Sequence, residues 1–169
     1  MTSCSPGGSS EPKTPGANNQ ESVEKPGYHH SAEGFIGGRA WRYVQGKATP
    51  FRRNNKNYLE VRLWNQDYNS PCTEPMGSAY QVRIYVSYSE GSWKIDPLDP
   101  FSLIPTIIFS DYTTGVNSRS NLIADIGLIT VSSLKHGRLV GSVVGQFTDS
   151  NNVGRTEVKG DFEVPVCAP

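Results

Sequence analysis

The chain has 169 residues and balances 16 Lys and Arg against 16 Asp and Glu, a formal charge of zero. That balance gives no long-range field toward polyanions and no basic stripe, so nucleic acid is not expected as a partner. No apolar run approaches the roughly 18 residues that cross a bilayer, and no basic stretch with an apolar core opens the chain, so the polypeptide as written is expected to be soluble.

Residues 1–33 read as a separate region. Pro6, Pro12, Pro15 and Pro26 punctuate a run of Gly, Ser, Asn, Gln and Glu, and only Met1 and Val23 are large and apolar before Tyr28. Such a segment buries too little surface to offset its conformational entropy, which predicts a disordered tether. From Gly34 the texture changes to short apolar runs between turn residues. "GFIGGRAWRYV" (34–44) reads as strand and "TPFRRNNKN" (49–57) as a polar connection. "YLEVRLW" (58–64) alternates, with Leu59, Val61 and Leu63 on one face and Tyr58, Glu60, Arg62 and Trp64 on the other. That period of two predicts a strand with one buried face. A long loop follows.

"AYQVRIYVSYS" (79–89) alternates again, with Tyr80, Val82, Ile84, Val86 and Tyr88 predicted inward and Gln81, Arg83 and Ser87 outward. "EGS" turns into "WKI" (93–95), and "DPLDP" breaks the chain. "LIPTIIFSD" (103–111) is an apolar run whose proline marks a strand start or an edge, and "DYTTGVNSRSN" (111–121) reads as loop. "DIGLITVSSL" (125–134), "GRLVGSVVGQFT" (137–148) and "RTEVKGDFEVPV" (155–166) read as three closing strands joined by hairpin-type turns. No window shows helical periodicity with caps. Seven or eight short strands predict an all-β domain over 34–169, an antiparallel β-sandwich with a small β-barrel as the alternative. The glycines of "GFIGG" and "VGSVVGQF" are expected at bulges or close crossings.

Three cysteines are present: Cys4, Cys72 and Cys167. Cys72 and Cys167 lie in polar, proline-flanked stretches, "SPCTEP" and "VPVCAP", unlike the apolar runs that hold most free structural cysteines. A bridge between them is predicted; two free thiols in a reducing cytosol are the alternative. With that bridge formed, Cys4 is left over and calls for a partner, a reactive role or a modification.

"TSC" (2–4) resembles the lipobox at the end of a bacterial lipoprotein signal peptide: Thr2 and Ser3 match its two small positions, and Met1 stands where the family has Leu. The "SPGGSSEPKTPGANNQ" that follows is similar to the tether of such lipoproteins. The resemblance covers these first residues only. It implies diacylglycerol and an N-acyl chain on Cys4, and Ser5 is compatible with outer-membrane sorting in a Gram-negative cell. More than one acyl chain is what stable anchoring requires.

Motifs that carry chemistry are sparse. His29 and His30 have no third ligand at zinc spacing, and His136 reads as a hairpin residue. "DSNNVG" (149–154) matches the start of a calcium loop at Asp149, Asn151 and Gly154. Val153 fills the third ligand position and Gly160 the place of the bidentate Glu. A weak calcium site using Asp149, Asn151 and Asp161 is one reading; ordinary Asn/Asp turn chemistry is the other. Asp67, Glu74, Asp96, Asp99 and Asp111 are the carboxylates available to a loop-borne hydrolytic site, and nothing in the sequence brings two of them together. No G-x-S-x-G elbow is present, so no catalytic residue is assigned and no cofactor is implied.

Trp41, Trp64, Tyr68 and Trp93 are the candidate ligand-binding aromatics, as stacking platforms for sugar rings or anchors for a protein. For Trp64 the alternative is burial under the 65–78 loop. Arg39, Arg42, Lys47, Arg52, Arg53 and Lys56 form either a basic patch for an acidic polysaccharide, lipid headgroup or protein, or a solvated rim. Together these features predict a monomeric, non-enzymatic domain outside the cytoplasm, in the periplasm or at the outer membrane. It is held there by its lipid anchor and binds a protein or glycan partner at the cell envelope. The alternatives are a carbohydrate-binding module, or a carbohydrate-active or calcium-dependent enzyme.

Overall fold

The computed structural model describes residues 1, 31–73, 80–96, 104–111, 120–148 and 154–168. Eleven strands lie among them. They are β1 (Glu33–Ile36), β2 (Arg39–Arg42), β3 (Gln45–Arg53), β4 (Lys56–Trp64), β5 (Tyr80–Ser87), β6 (Gly91–Ile95), β7 (Thr106–Asp111), β8 (Ser120–Ile123), β9 (Ile126–Lys135), β10 (Arg138–Phe147) and β11 (Thr156–Pro165). They form two antiparallel sheets, one of six strands in the order β2-β1-β11-β10-β9-β6 and one of five in the order β3-β4-β5-β7-β8. The sheets do not close into a barrel, and the architecture is a β-sandwich.

The strand count exceeds the seven or eight predicted, for identifiable reasons. Three hairpins turn on only two residues each: Gly37–Gly38, Asn54–Asn55 and His136–Gly137, all with positive φ. Such turns match the right-handed twist of the strands they join. The polar "TPFRRNNKN" is therefore mostly strand: β3 and β4 pair up to Arg53↔Lys56. β8 begins inside the stretch read as loop. "EGS" is no hairpin turn: its Gly91 and Ser92 already open β6, which pairs β9 in the other sheet, while β5 pairs β4 and β7. The sheet also takes in residues assigned to the tether, because Ala32 is fully buried and its N–H donates to the Asp161 carbonyl. Cys4, like the rest of 2–30, lies outside the described residues.

The core follows the predicted alternation. Leu59, Val61 and Leu63 from β4, Val82, Ile84 and Val86 from β5, and Leu139 and Val143 from β10 have no exposed surface. Gly127 of β9 and Gly145 of β10 are register partners. A Cβ added at either would come within 3.0 Å or less of the Ile107 Cδ1 methyl of β7. The two glycines thus make a notch for a side chain of the facing sheet, the close crossing foreseen at "VGQF", and a bulge at Ser132 of β9 interrupts the pairing with Val140 and Gly141 of β10. One expectation on β5 fails: Tyr88 lies past the strand end and is exposed. Gln81 is on the outer face as predicted, yet only 3% exposed. Its register partner Trp64 and the chain that folds back after it explain that burial.

The C-terminal segment crosses from the six-stranded sheet to the five-stranded one. Val166 bridges to Ala48, the Cys167 N–H donates to the Ala48 carbonyl, and the Val166 N–H donates to Gly137 O. Cys167 then bonds Cys72 across 95 residues, with Cα atoms 5.5 Å apart, within the normal range for a disulfide. The predicted pairing is the one present. On the chain-entropy account a loop of this length is worth about 4–5 kcal/mol. Replacing both cysteines by Ala is expected to lower unfolding free energy by about that amount in denaturant titrations, and adding reductant to the parent protein should reproduce the loss.

Candidate functional site

The side chains of the five-stranded sheet that face away from the core build an unusually polar surface. Cross-strand register arranges it in rows. One row runs Gln45, Trp64, Gln81, Ser110, Asn121; the next runs Lys47, Arg62, Arg83, Ile108, Ile123; a third runs Thr49, Glu60, Tyr85, Thr106. In the third row Glu60 accepts from Arg62 Nη2 at 3.0 Å and from the Tyr85 hydroxyl at 2.8 Å. Arg83 Nη2 donates to Asn121 Oδ1 at 3.0 Å and Ser110 Oγ at 3.3 Å, and the Ser110 hydroxyl also donates to Asn121 Oδ1 at 2.7 Å.

At one end this face is covered. The chain after β4 folds back so that Tyr68 meets Trp64 edge-on, ring centroids 5.5 Å apart. Gln45 fixes that chain by accepting from the Tyr68 N–H at 3.0 Å and donating to Tyr68 O and Asp67 Oδ1, both at 2.9 Å. Beneath and beside the cover, Trp64 Nε1, Asn65 Oδ1, Gln81 Oε1 and Arg83 Nε are buried without a hydrogen-bond partner. Buried polar atoms are nearly always paired, so four orphans on neighbouring positions single this face out.

The predicted aromatics do not form one platform. Trp41 is 3% exposed and packs in the core with its Nε1 3.5 Å from Tyr80 O; Trp64 is 1% exposed. Trp64 is thus covered by the loop that follows it. Trp93, half-buried, packs against the core from β6, in the other sheet from Trp64 and Tyr68. The carboxylates are similarly divided. Asp67 accepts from Gln45, Asp111 ends β7, and Asp96 follows β6 in the other sheet; Glu74 and Asp99 lie outside the described residues. Of the calcium candidates, Asp149 and Asn151 also lie outside, and Asp161 sits mid-strand opposite Ser142. Among the described residues no three His, Cys, Asp or Glu gather as metal ligands.

The basic patch is dispersed too. Arg39 donates to the Tyr80 hydroxyl from β2, Arg52, Arg53 and Lys56 surround the exposed β3–β4 turn, and only Lys47 joins the central row. Arg62 and Arg83, which make that row cationic, were read from sequence only as outward-facing strand residues. Their juxtaposition depends on the β4–β5 register, which no local pattern encodes. The other sheet carries a shallow groove of about 530 Å3, where Arg155 lies over the Phe35 ring at 4.5 Å and pairs with Glu157. Its outer face also exposes Ile126, Leu128 and Val144.

No family model, curated protein or solved structure matches this chain at a significant level.

Two tyrosine hydroxyls report on the packing. Burial pushes the Tyr85 hydroxyl up to about 12, reinforced by its hydrogen bond to Glu60. Burial likewise pushes Tyr43 up to about 12, opposed by the backbone at Glu163. Both folded values exceed the ordinary 10.0, so the folded state holds these protons where the unfolded chain releases them. Their stabilising contribution is complete below pH 10 and is lost as pH rises toward 12. Following tyrosinate absorbance against pH should show two late-titrating groups, and Tyr85→Phe should remove one of them; a single step near 10 would contradict this packing.

Proposed function

We propose that this protein is a non-catalytic binding module that works outside the cytoplasm, held at the cell envelope through an acylated Cys4 and presenting a β-sandwich face to a partner. The observation that carries the reading is the Cys72–Cys167 bond. Structural disulfides persist in oxidising compartments and are rare where thiols are kept reduced. This one ties the cover of the polar face to the C-terminal segment, so the geometry of that face is linked to oxidation. The "TSC" start and the proline-rich stretch after it support the anchor.

The polar face of the five-stranded sheet is the better candidate for contact than the predicted aromatics. A partner meets there Lys47, Arg62, Arg83, Tyr85 and Glu60 from three adjacent strands. A protein or a glycan is the partner class that such a surface suits.

Intact-mass analysis of aerobically purified protein, with and without reductant and alkylation, tests the compartment. One bridge mapped to Cys72 and Cys167 with one remaining thiol or modified Cys4 is the expected result; three free thiols would remove the basis for export. Expression from the native gene in a Gram-negative host, followed by mass spectrometry of the Cys4 peptide, should return a lipid-modified residue. An unmodified Cys4 there would end the anchoring half of the proposal.

A further inference from the structure

We infer that Arg83, with Arg62 beside it, binds the acid group of an anionic oligosaccharide on the outer face of the five-stranded sheet. The inference deepens the binding reading above by naming a ligand class; it is independent of Cys4 and of export.

Register places Lys47, Arg62 and Arg83 side by side on β3, β4 and β5. At the usual spacing of neighbouring strands, about 4.8 Å, the three cations span about 10 Å of surface. Like charges directly opposite each other oppose pairing, so such a row needs compensation. Arg62 has it in Glu60, at 3.0 Å. Arg83 differs: its Nη2 hydrogen bonds go to Ser110 and Asn121, both neutral. None of the ion pairs among the described residues involves it. A guanidinium offers five N–H donors in a rigid fork, suited to two-pronged binding of a carboxylate or sulfate. Ser110 and Asn121, bonded to each other, hold that fork in place without neutralising it.

The surroundings fit a saccharide as the carrier of the acid group. Glu60, Tyr85 and Asn121 supply acceptors and donors for hydroxyl groups. Ile108, and Ile123 at 44% exposed, continue the same row and offer aliphatic surface to the C–H side of a sugar ring. One row away, Gln81 and Trp64 are 3% and 1% exposed, with Tyr68 packed on Trp64, so the face is closed on that side and its open surface begins at the cationic row.

The test is calorimetric titration of the full chain with carboxylated oligogalacturonate, with sulfated dextran oligomers, with the neutral methyl ester of the first, with inorganic sulfate alone, and with vesicles of anionic lipid. At least one acidic oligosaccharide is expected to bind, more weakly as salt rises, and the methyl ester about ten-fold more weakly than its acid or not at all. Arg83→Gln should weaken binding about ten-fold or more, as expected for a charge-assisted contact. Arg83→Lys should restore part of it, and Lys159→Gln on the other sheet should leave it unchanged. Melting temperature of each variant separates loss of binding from loss of fold. The inference is overturned by equal binding of acid and ester, by an Arg83→Gln variant that is folded and binds as the parent does, or by binding of vesicles or free sulfate without either oligosaccharide. Absence of binding to every probe overturns it as well. None of these results bears on disulfide formation or acylation at Cys4, so the two readings fail separately.

Discussion

Ile107 of β7 packs against Gly127 and Gly145, the paired glycines of β9 and β10, and both outer faces depend on that seating. A side chain at either glycine would be driven into Ile107 or the adjoining backbone, so the facing sheet approaches here only because two adjacent strands lack Cβ atoms. Period-two geometry does the rest. With Ile107 and Phe109 fixed inward, Ile108 and Ser110 must point outward, and Ser110 is then in reach of Arg83 and Asn121. A one-residue slip in β7 would turn Ser110 into the core and Phe109 onto the outer face. The polar face is therefore a consequence of core packing on its reverse side.

The disulfide works on a different part of the same surface. Cys167 arrives over the β3 strand through the contacts of Val166 and Cys167 with Ala48, and its bond to Cys72 holds the far end of the chain that covers Trp64. Gln45 holds the near end with three hydrogen bonds. The cover thus has one covalent and one polar fastening. It removes Trp64 and Gln81 from solvent while leaving two of their polar atoms unpaired.

How much of this was legible in the sequence depended on the range over which each signal acts. Alternation is local, so Leu59, Val61, Leu63, Val82, Ile84 and Val86 could be placed in the core from a few neighbouring residues. The cysteine pairing was legible because only two cysteines lie in the domain's polar flanks. Two-residue turns made of Asn54–Asn55 were hidden by their setting: Arg52, Arg53, Lys56 and Asn57 look like loop, yet all belong to the β3–β4 hairpin. Trp64 was assigned to the polar side of β4, and that was its correct side. Its burial came from Tyr68 and the folded-back chain, a tertiary event with no periodic signature. The Arg62–Arg83 pair required knowing which strand neighbours which and in what register, information distributed over the whole sheet.

The arginine pair also sets the polar face apart from the outer face of the other sheet. Opposite charges across neighbouring strands contribute roughly 0.2–1 kcal/mol, and like charges directly opposite destabilise. On stability grounds Arg83 opposite Arg62 is a poor choice, and its immediate hydrogen-bond acceptors, Ser110 and Asn121, do not alter the local charge. The other sheet shows the contrasting solution: Arg138 pairs with Glu163 and Arg155 with Glu157, each cation matched by a carboxylate of β11. Arg138 and Arg155 thus meet carboxylates of their own sheet, as Arg62 meets Glu60, while Arg83 is oriented by neutral partners alone. A fold fastened by a long-range disulfide can tolerate that local penalty, because about 1 kcal/mol on the face is small beside the several kcal/mol the cross-link contributes.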